Sequence, residues 1–165
     1  ALRVARSGAG PVYLRLTRQT VPVIDRGPKA DAASGAYVVR ESYGKPKAII
    51  VASGALLANA VLARDQRPES PIRVINVTRL DRVAHGHCDM RDMFENGVPI
   101  LTFHDAAPHC LGDAVLRELN RLGYHSFVKA SGIKGFGPGS GPSEELYRGQ
   151  GFDTDSLGIF MDLYA

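Results

Sequence analysis

Arg18 and Gln19 carry the plainest binding chemistry in this 165-residue chain, near the end of the segment GPVYLRLTRQTVP, Gly10 to Pro22. An arginine offers a planar, permanently charged fork of donors that suits a phosphate or a carboxylate, and a neighbouring glutamine can add a hydrogen bond. The element that holds them out is written just before them. Val12, Leu14 and Leu16 alternate with Tyr13, Arg15 and Thr17, the period-two pattern of a strand with one apolar face. Most arginines after a strand are simply solvated, so the surrounding sequence has to decide between a ligand contact and an ordinary surface residue.

A second group of reactive side chains is His85, His87, Cys88, His104, Asp105, His109 and Cys110. Imidazole and thiolate are the usual zinc ligands. Yet HGHC and HDAAPHC lack the spaced Cys-x-x-Cys or His-x-x-x-His pairs that turn two ligands toward one ion, so no metal site is expected. His104, His109 and Asp105 could be read with Cys110 or Ser53 as a nucleophilic triad, but histidine and serine near strand ends are common in any α/β domain. No catalytic residue is expected in this chain. The turn Ser53-Gly54-Ala55 opens a helix whose start could hold an anion. It lacks the repeated glycines of a dinucleotide fingerprint and the lysine of a phosphate loop. The glycines of SGIKGFGPGSGPSEELYRG (131–149) imply unusual backbone angles or a close neighbour, and Ser143 before Glu144 and Glu145 reads as a helix start. A flexible phosphate cradle is the functional alternative there.

The elements that must position these loops follow from periodicity. VIDRGPKADAASG (23–35) reads as a linker. Strands are predicted at Ala36 to Val39, Ala48 to Ser53, Ile72 to Val77, Ile100 to Phe103 and Ser126 to Ala130. Helices are predicted at Ala55 to Arg67, Asp89 to Glu95, Leu111 to Leu122, Ser143 to Arg148 and Asp153 to Leu163. The run Ala48 to Ser53 is apolar on both faces, as a parallel strand covered by helices should be. Alternating strands and helices specify a three-layer α/β/α domain with a mostly parallel sheet. Ligands of such sheets favour the carboxyl ends of strands, here the loops starting at Ser53, Thr78, His104 and Ser131.

Composition excludes several classes of function. The net charge of +3 comes from 20 basic residues scattered among 17 acidic ones, which makes no nucleic-acid footprint. No apolar run approaches the roughly 18 residues of a membrane span, and the amino terminus lacks a signal pattern, so a cytoplasmic protein without membrane contact is expected. Cys88 and Cys110 are expected as free thiols. The opening ALRVARSGAG reads like the tail of a helix begun upstream, and an absent initiator methionine points to a piece of a longer polypeptide.

The strand ending in LTRQ, then GAYVV (35–39), IIVASGALLANAV (49–61) and FGPGSGPSEELYRGQGFDTDSL (136–157), stand in an order that resembles the carboxyl-terminal part of the transketolase family. The resemblance covers nearly all of the chain. It implies three parts: residues 1–22 as the tail of the preceding pyrimidine-binding domain, 23–34 as a linker, and 35–165 as the transketolase C-terminal-like domain. It further implies transfer of a two-carbon ketol unit between sugar phosphates in the pentose phosphate pathway. Thiamine diphosphate and a divalent metal would be held by separate N-terminal and middle domains, which supply a Gly-Asp-Gly motif and a glutamate that this chain lacks. The chain alone is therefore expected to bind no cofactor and to be inactive.

The resemblance gives Arg18 the substrate's terminal phosphate, with Gln19 beside it, and gives the remaining domain contacts in a homodimer. Phe136, Phe152, Phe160 and Tyr164 are the aromatic residues that could make those contacts, with ordinary core packing as the alternative. The family's glutamate in the segment matching FHDAAPHCLGDAV (103–115) is replaced here by His104 or Asp105, and of its glycines only Gly112 remains. Two other readings stay open. One is a small subunit of a split thiamine-diphosphate enzyme acting on 2-oxoacids or other sugars; the other is a stand-alone module binding an effector at Gly54.

Overall fold

The computed structural model of the chain describes residues 10–11, 20–25, 31–133, 135 and 140–164. The strand expected at residues 12–17, Arg18, Gln19 and Phe136 all lie outside the described residues. The elements in order are β1 (Ala36–Arg40), β2 (Ala48–Ala52), a 3-10 turn (Gly54–Leu56), α1 (Leu57–Asp65), β3 (Ile72–Val77) and α2 (Leu80–Ala84). There follow β4 (Ile100–Phe103), α3 (Pro108–Leu122), β5 (Val128–Ser131), α4 (Ser143–Gly149) and α5 (Thr154–Asp162).

The five strands form one sheet in the order β1-β3-β2-β4-β5. Strands β3, β2, β4 and β5 are parallel, and β1 closes one edge antiparallel to β3. Every residue of β2, AIIVA, is buried, because helices cover both faces of this central strand. One core joins Ile50, Leu101 and Phe103 to Leu56 and Val61 before and within α1 and to Leu157 and Met161 of α5. The other joins Ile49, Val51 and Ile100 to Leu111, Val115 and Leu119 of α3. Pro108 opens α3 at its first turn, and Gly123 ends it with φ +72, a left-handed conformation that favours glycine.

Helices α1 and α5 run side by side in the same direction. Asn59 Nδ2 donates to the Phe152 carbonyl at 2.7 Å near the start of α5, and Arg67 Nε meets Asp162 Oδ1 at 3.0 Å at its end.

One expectation is corrected. No helix runs from Asp89 to Glu95; residues 91–93 form a turn. The Met93 and Phe94 N–H groups both meet Met90 O, at 3.0 and 3.2 Å, so a single turn forms and is not propagated. The helix between β3 and β4 is α2, which lies earlier, in the stretch after Thr78. Of the two alternatives left open for Phe152, core packing is the one found. It is 1% exposed and sits edge-on to Phe103 with ring centroids 5.5 Å apart, while Phe160 and Tyr164 pack partly buried on the same core. Among the described residues no helix is long and apolar enough to cross a membrane.

Candidate functional site

Because β2 leads through α1 to one side of the sheet and β4 leads through α3 to the other, the crevice at their carboxyl ends is the topological switch point, where open α/β sheets bind ligands. Here the protein's own groups fill much of it. Ser53 N donates to Phe103 O at 3.3 Å, and the Ser53 hydroxyl reaches across to Val77 O at 2.9 Å. Gly54 turns with φ +68, and a Cβ placed on it would lie 3.3 Å from Asp105 Oδ1. The Tyr147 hydroxyl of α4 donates to Asp105 Oδ2 at 3.4 Å, which brings α4 over this edge. Partial burial, with Asp105 adding to it, pushes the Tyr147 phenol above its ordinary pKa.

The other two loops are equally tied down. Thr78 Oγ1 donates to Ala32 O at 2.8 Å, and the Thr78 and Arg79 N–H groups both meet Gly35 O. Gly132, after β5, lies so close to the start of α3 that a Cβ would stand 2.4 Å from Ala106 O and 2.6 Å from Pro108 N. Ile133 N then donates to Ala106 O at 2.9 Å. The four loops named from sequence do share one edge, where hydrogen bonds brace them.

His104 is the exception. Among the described residues its Nδ1 is buried without a hydrogen-bond partner, and burial lowers its pKa below the usual histidine value, with Asp105 only partly opposing. The ring is thus held neutral in a half-buried pocket. Ser53, His104 and Cys110 form no hydrogen-bonded relay among the described contacts, since the Ser53 hydroxyl is spent on Val77.

The two histidine and cysteine groups stay apart. His85, His87 and the buried Cys88 follow α2, where Gly86 lies against the Arg121 side chain near the end of α3. His109 and Cys110 occupy the first turn of α3. Eleven residues of helix separate positions 110 and 121, a span of roughly 16 Å at about 1.5 Å per residue. His85 Nδ1 is bound to Asp81 O at 2.7 Å. Burial raises the Cys88 pKa, which makes it an inert thiol rather than a ligand or nucleophile. Both cysteines are free, and among the described residues no three His, Cys, Asp or Glu side chains are grouped to hold a metal ion.

The segment immediately after Arg18 and Gln19 is described. Thr20, Val21 and Pro22 form one wall of a cleft of about 320 Å³, whose other walls include Asn59 and Leu62 of α1 and Arg148 of α4. Sequence reasoning singled out neither this cleft nor the apolar residues around it. The available signal was α5 itself, which carries apolar residues on more than one side.

No protein-family model matches the chain. A 1-deoxy-D-xylulose-5-phosphate synthase of Clostridium botulinum is 31% identical over 160 residues, covering 94% of this chain and 25% of that protein. A transketolase of Mycobacterium tuberculosis is 33% identical over 116 residues, covering 67% of this chain and 14% of that protein. Among solved structures, a split gene transketolase in the form of an inactive beta4 tetramer superposes with a TM-score of 0.69 and 19% identity. It matches over 99% of this chain and 52% of that one. The transketolase of Campylobacter jejuni gives a TM-score of 0.63 at 19% identity, over 87% of this chain and 21% of that one. The chain therefore spans a quarter or less of the length of these curated relatives. The structural likenesses carry the fold; together with the sequence relatives they place the chain in the transketolase family, as a domain of its C-terminal type.

Proposed function

We propose that the chain is the C-terminal portion of a transketolase-like enzyme that transfers a two-carbon ketol unit between sugar phosphates. The observation that carries this reading is the match to a transketolase, 33% identical over 67% of this chain and only 14% of that enzyme. In it, residues 1–22 end the preceding pyrimidine-binding domain, 23–34 link, and 35–165 form the C-terminal domain. Arg18 grips the terminal phosphate of the sugar, with Gln19 as its neighbour, and the domain contributes contacts to a cytoplasmic homodimer.

Thiamine diphosphate and its divalent metal belong, in this reading, to the remainder of the enzyme. A diphosphate bridged to a metal needs a gathered set of oxygen ligands. The described residues offer no such group, and at the carboxyl edge of the sheet the Ser53 and Thr78 hydroxyls are spent on carbonyls of the chain itself. The residues described here do not fit the cofactor, and no step is assigned to them through it. What this chain supplies is a phosphate anchor and a surface.

A charge-assisted arginine contact is worth about 1.5–3 kcal/mol. Arg18→Ala in the native enzyme is therefore expected to raise KM for phosphorylated sugars roughly ten-fold or more while the fold is kept. Unchanged kinetics with ribose 5-phosphate as acceptor would remove Arg18 from this role.

A second reading is a synthase of 1-deoxy-D-xylulose 5-phosphate. It is favoured by the synthase relative matching a larger share of the chain than the transketolase does, 94% against 67%. The Arg-Gln pair at Arg18 and Gln19 favours the transketolase reading. Product analysis of the native enzyme separates the two: a lengthened aldose phosphate supports ketol transfer, and a 1-deoxy sugar phosphate supports the synthase.

A further inference from the structure

Strand β5 closes the sheet on the side opposite β1 and, among the described residues, pairs only with β4. Ile100 N donates to Phe127 O at 2.8 Å, and Ile100 stands opposite Val128 in the register. A parallel ladder turns alternate residues toward the same neighbour. Lys129 therefore also bonds toward β4, whereas the N–H and C=O groups of Val128 and Ala130 point away from the sheet. Exposure alternates along the same stretch: His125, Phe127 and Lys129 are exposed, while Tyr124, Ser126 and Val128 are half-buried. Phe127 is 69% exposed. Val128 packs on the core that α3 covers, and a Cβ on Gly112 of that helix would lie 2.9 Å from the Ala130 Cβ. Helix α3 thus covers one face of β5. The other face presents an aromatic ring between an imidazole and an ammonium group.

We propose that this edge takes an added strand, an extended segment of another protein that carries a carboxylate on each side of an apolar residue. The four outward backbone groups of Val128 and Ala130 supply the ladder, as in other recognition by strand addition, and the side-chain stripe selects the sequence. An apolar residue covers Phe127, and the side chains two positions either way reach Lys129 and His125, because cross-strand neighbours on one face meet at about 5 Å. One carboxylate pairs with the Lys129 ammonium; the other accepts a hydrogen bond from a ring N–H of His125. A second copy of this chain fits worse. A twofold pairing that used all four backbone groups would centre on Lys129 and set two Lys129 side chains directly opposite each other, a like-charge contact. Lys129 thus discourages self-pairing and suits an acidic partner.

Fluorescence anisotropy of a short labelled peptide added to the native gene product tests it. The probe is an extended run of valine and threonine in which two glutamates flank a central valine on one face. It is expected to bind saturably, and the same peptide with lysines in place of the glutamates roughly ten-fold or more weakly. Lys129→Glu, at an exposed position, is expected to reverse that preference. Methylation of the peptide's backbone nitrogens on the bonding side is expected to abolish binding, since it removes the ladder's donors. Absence of saturable binding by the glutamate peptide would overturn the proposal. So would binding that survives the methylation, or a preference for glutamate that Lys129→Glu leaves unchanged. Self-association of the native product that shuts out the peptide would make a second copy the occupant and overturn it equally.

Discussion

The carboxyl edge of the sheet and the outer face of α1 and α5 are built to opposite ends. At the carboxyl edge, where an α/β domain of this topology would bind a ligand, the loops spend their hydrogen bonds on one another: Ser53 on Val77, Thr78 on Ala32, Tyr147 on Asp105, Ile133 on Ala106. On α1 and α5, Leu62, Ile159 and Leu163 turn apolar side chains to solvent, and Leu62 lines a cleft with Val21. The difference teaches that this domain keeps its fold's customary binding edge largely closed and leaves its unsatisfied surface elsewhere.

That contrast can be broken most severely at Gly132. A side chain there would stand within 3 Å of the backbone at Ala106 and Pro108, and backbone yields less readily than a side-chain tip. Gly132→Val is expected to cost about 3 kcal/mol or more of stability, read from urea unfolding. A loss below about 1 kcal/mol would mean that the edge is looser than its packing implies.

A medium effect is expected from His104. Its folded-state pKa is lowered by burial, so as pH falls through about 6.5 the unfolded chain takes up the proton first. The stability that the neutral ring confers is complete above that pH. It is lost progressively below it, until the lowered folded-state pKa is reached. The melting temperature should fall as the pH drops from 7.5 to 5.5 on account of this group, and His104→Gln should flatten that part of the profile. An unchanged profile in the variant would show that the ring is not sealed in the closed edge.

The smallest effect belongs to Tyr147. Its hydroxyl meets Asp105 at a long 3.4 Å, while its ring packs on Phe152 at 6.3 Å between centroids. Tyr147→Phe keeps the ring and is expected to cost only about 0.5–1 kcal/mol by thermal denaturation. A larger loss would make the hydroxyl, rather than the aromatic contact, the fastening of α4.

The closed edge was more legible in the sequence than the open face. The apolar runs Ala48–Ala52, Ile72–Val77 and Ile100–Phe103 were readable because strands buried on both sides admit few polar residues, and α3 because its apolar stripe is unambiguous. The short α2 escaped notice, since five residues hold too little of a helical period to stand out. Asp89 to Glu95 misled because helix-compatible composition does not tell a single turn, closed on Met90 O, from a helix that propagates. Phe152 could not be assigned to the inside or the outside, because its burial depends on Phe103, 49 positions away in the chain. The outer face was hidden for a related reason. Ile159 and Leu163 look like core residues until Leu157 and Met161 are seen to fill the core from the other side of the same helix.

The proposed role of this chain is to serve a transketolase-like enzyme without catalysing on its own. Its most direct test is an assay of two-carbon transfer from a ketose phosphate to an aldose phosphate, run with thiamine diphosphate and Mg²⁺ on the native gene product and on the 165-residue chain side by side. The account predicts turnover by the native product and none by the chain alone. Turnover by the isolated chain, or none by the native product, would contradict it.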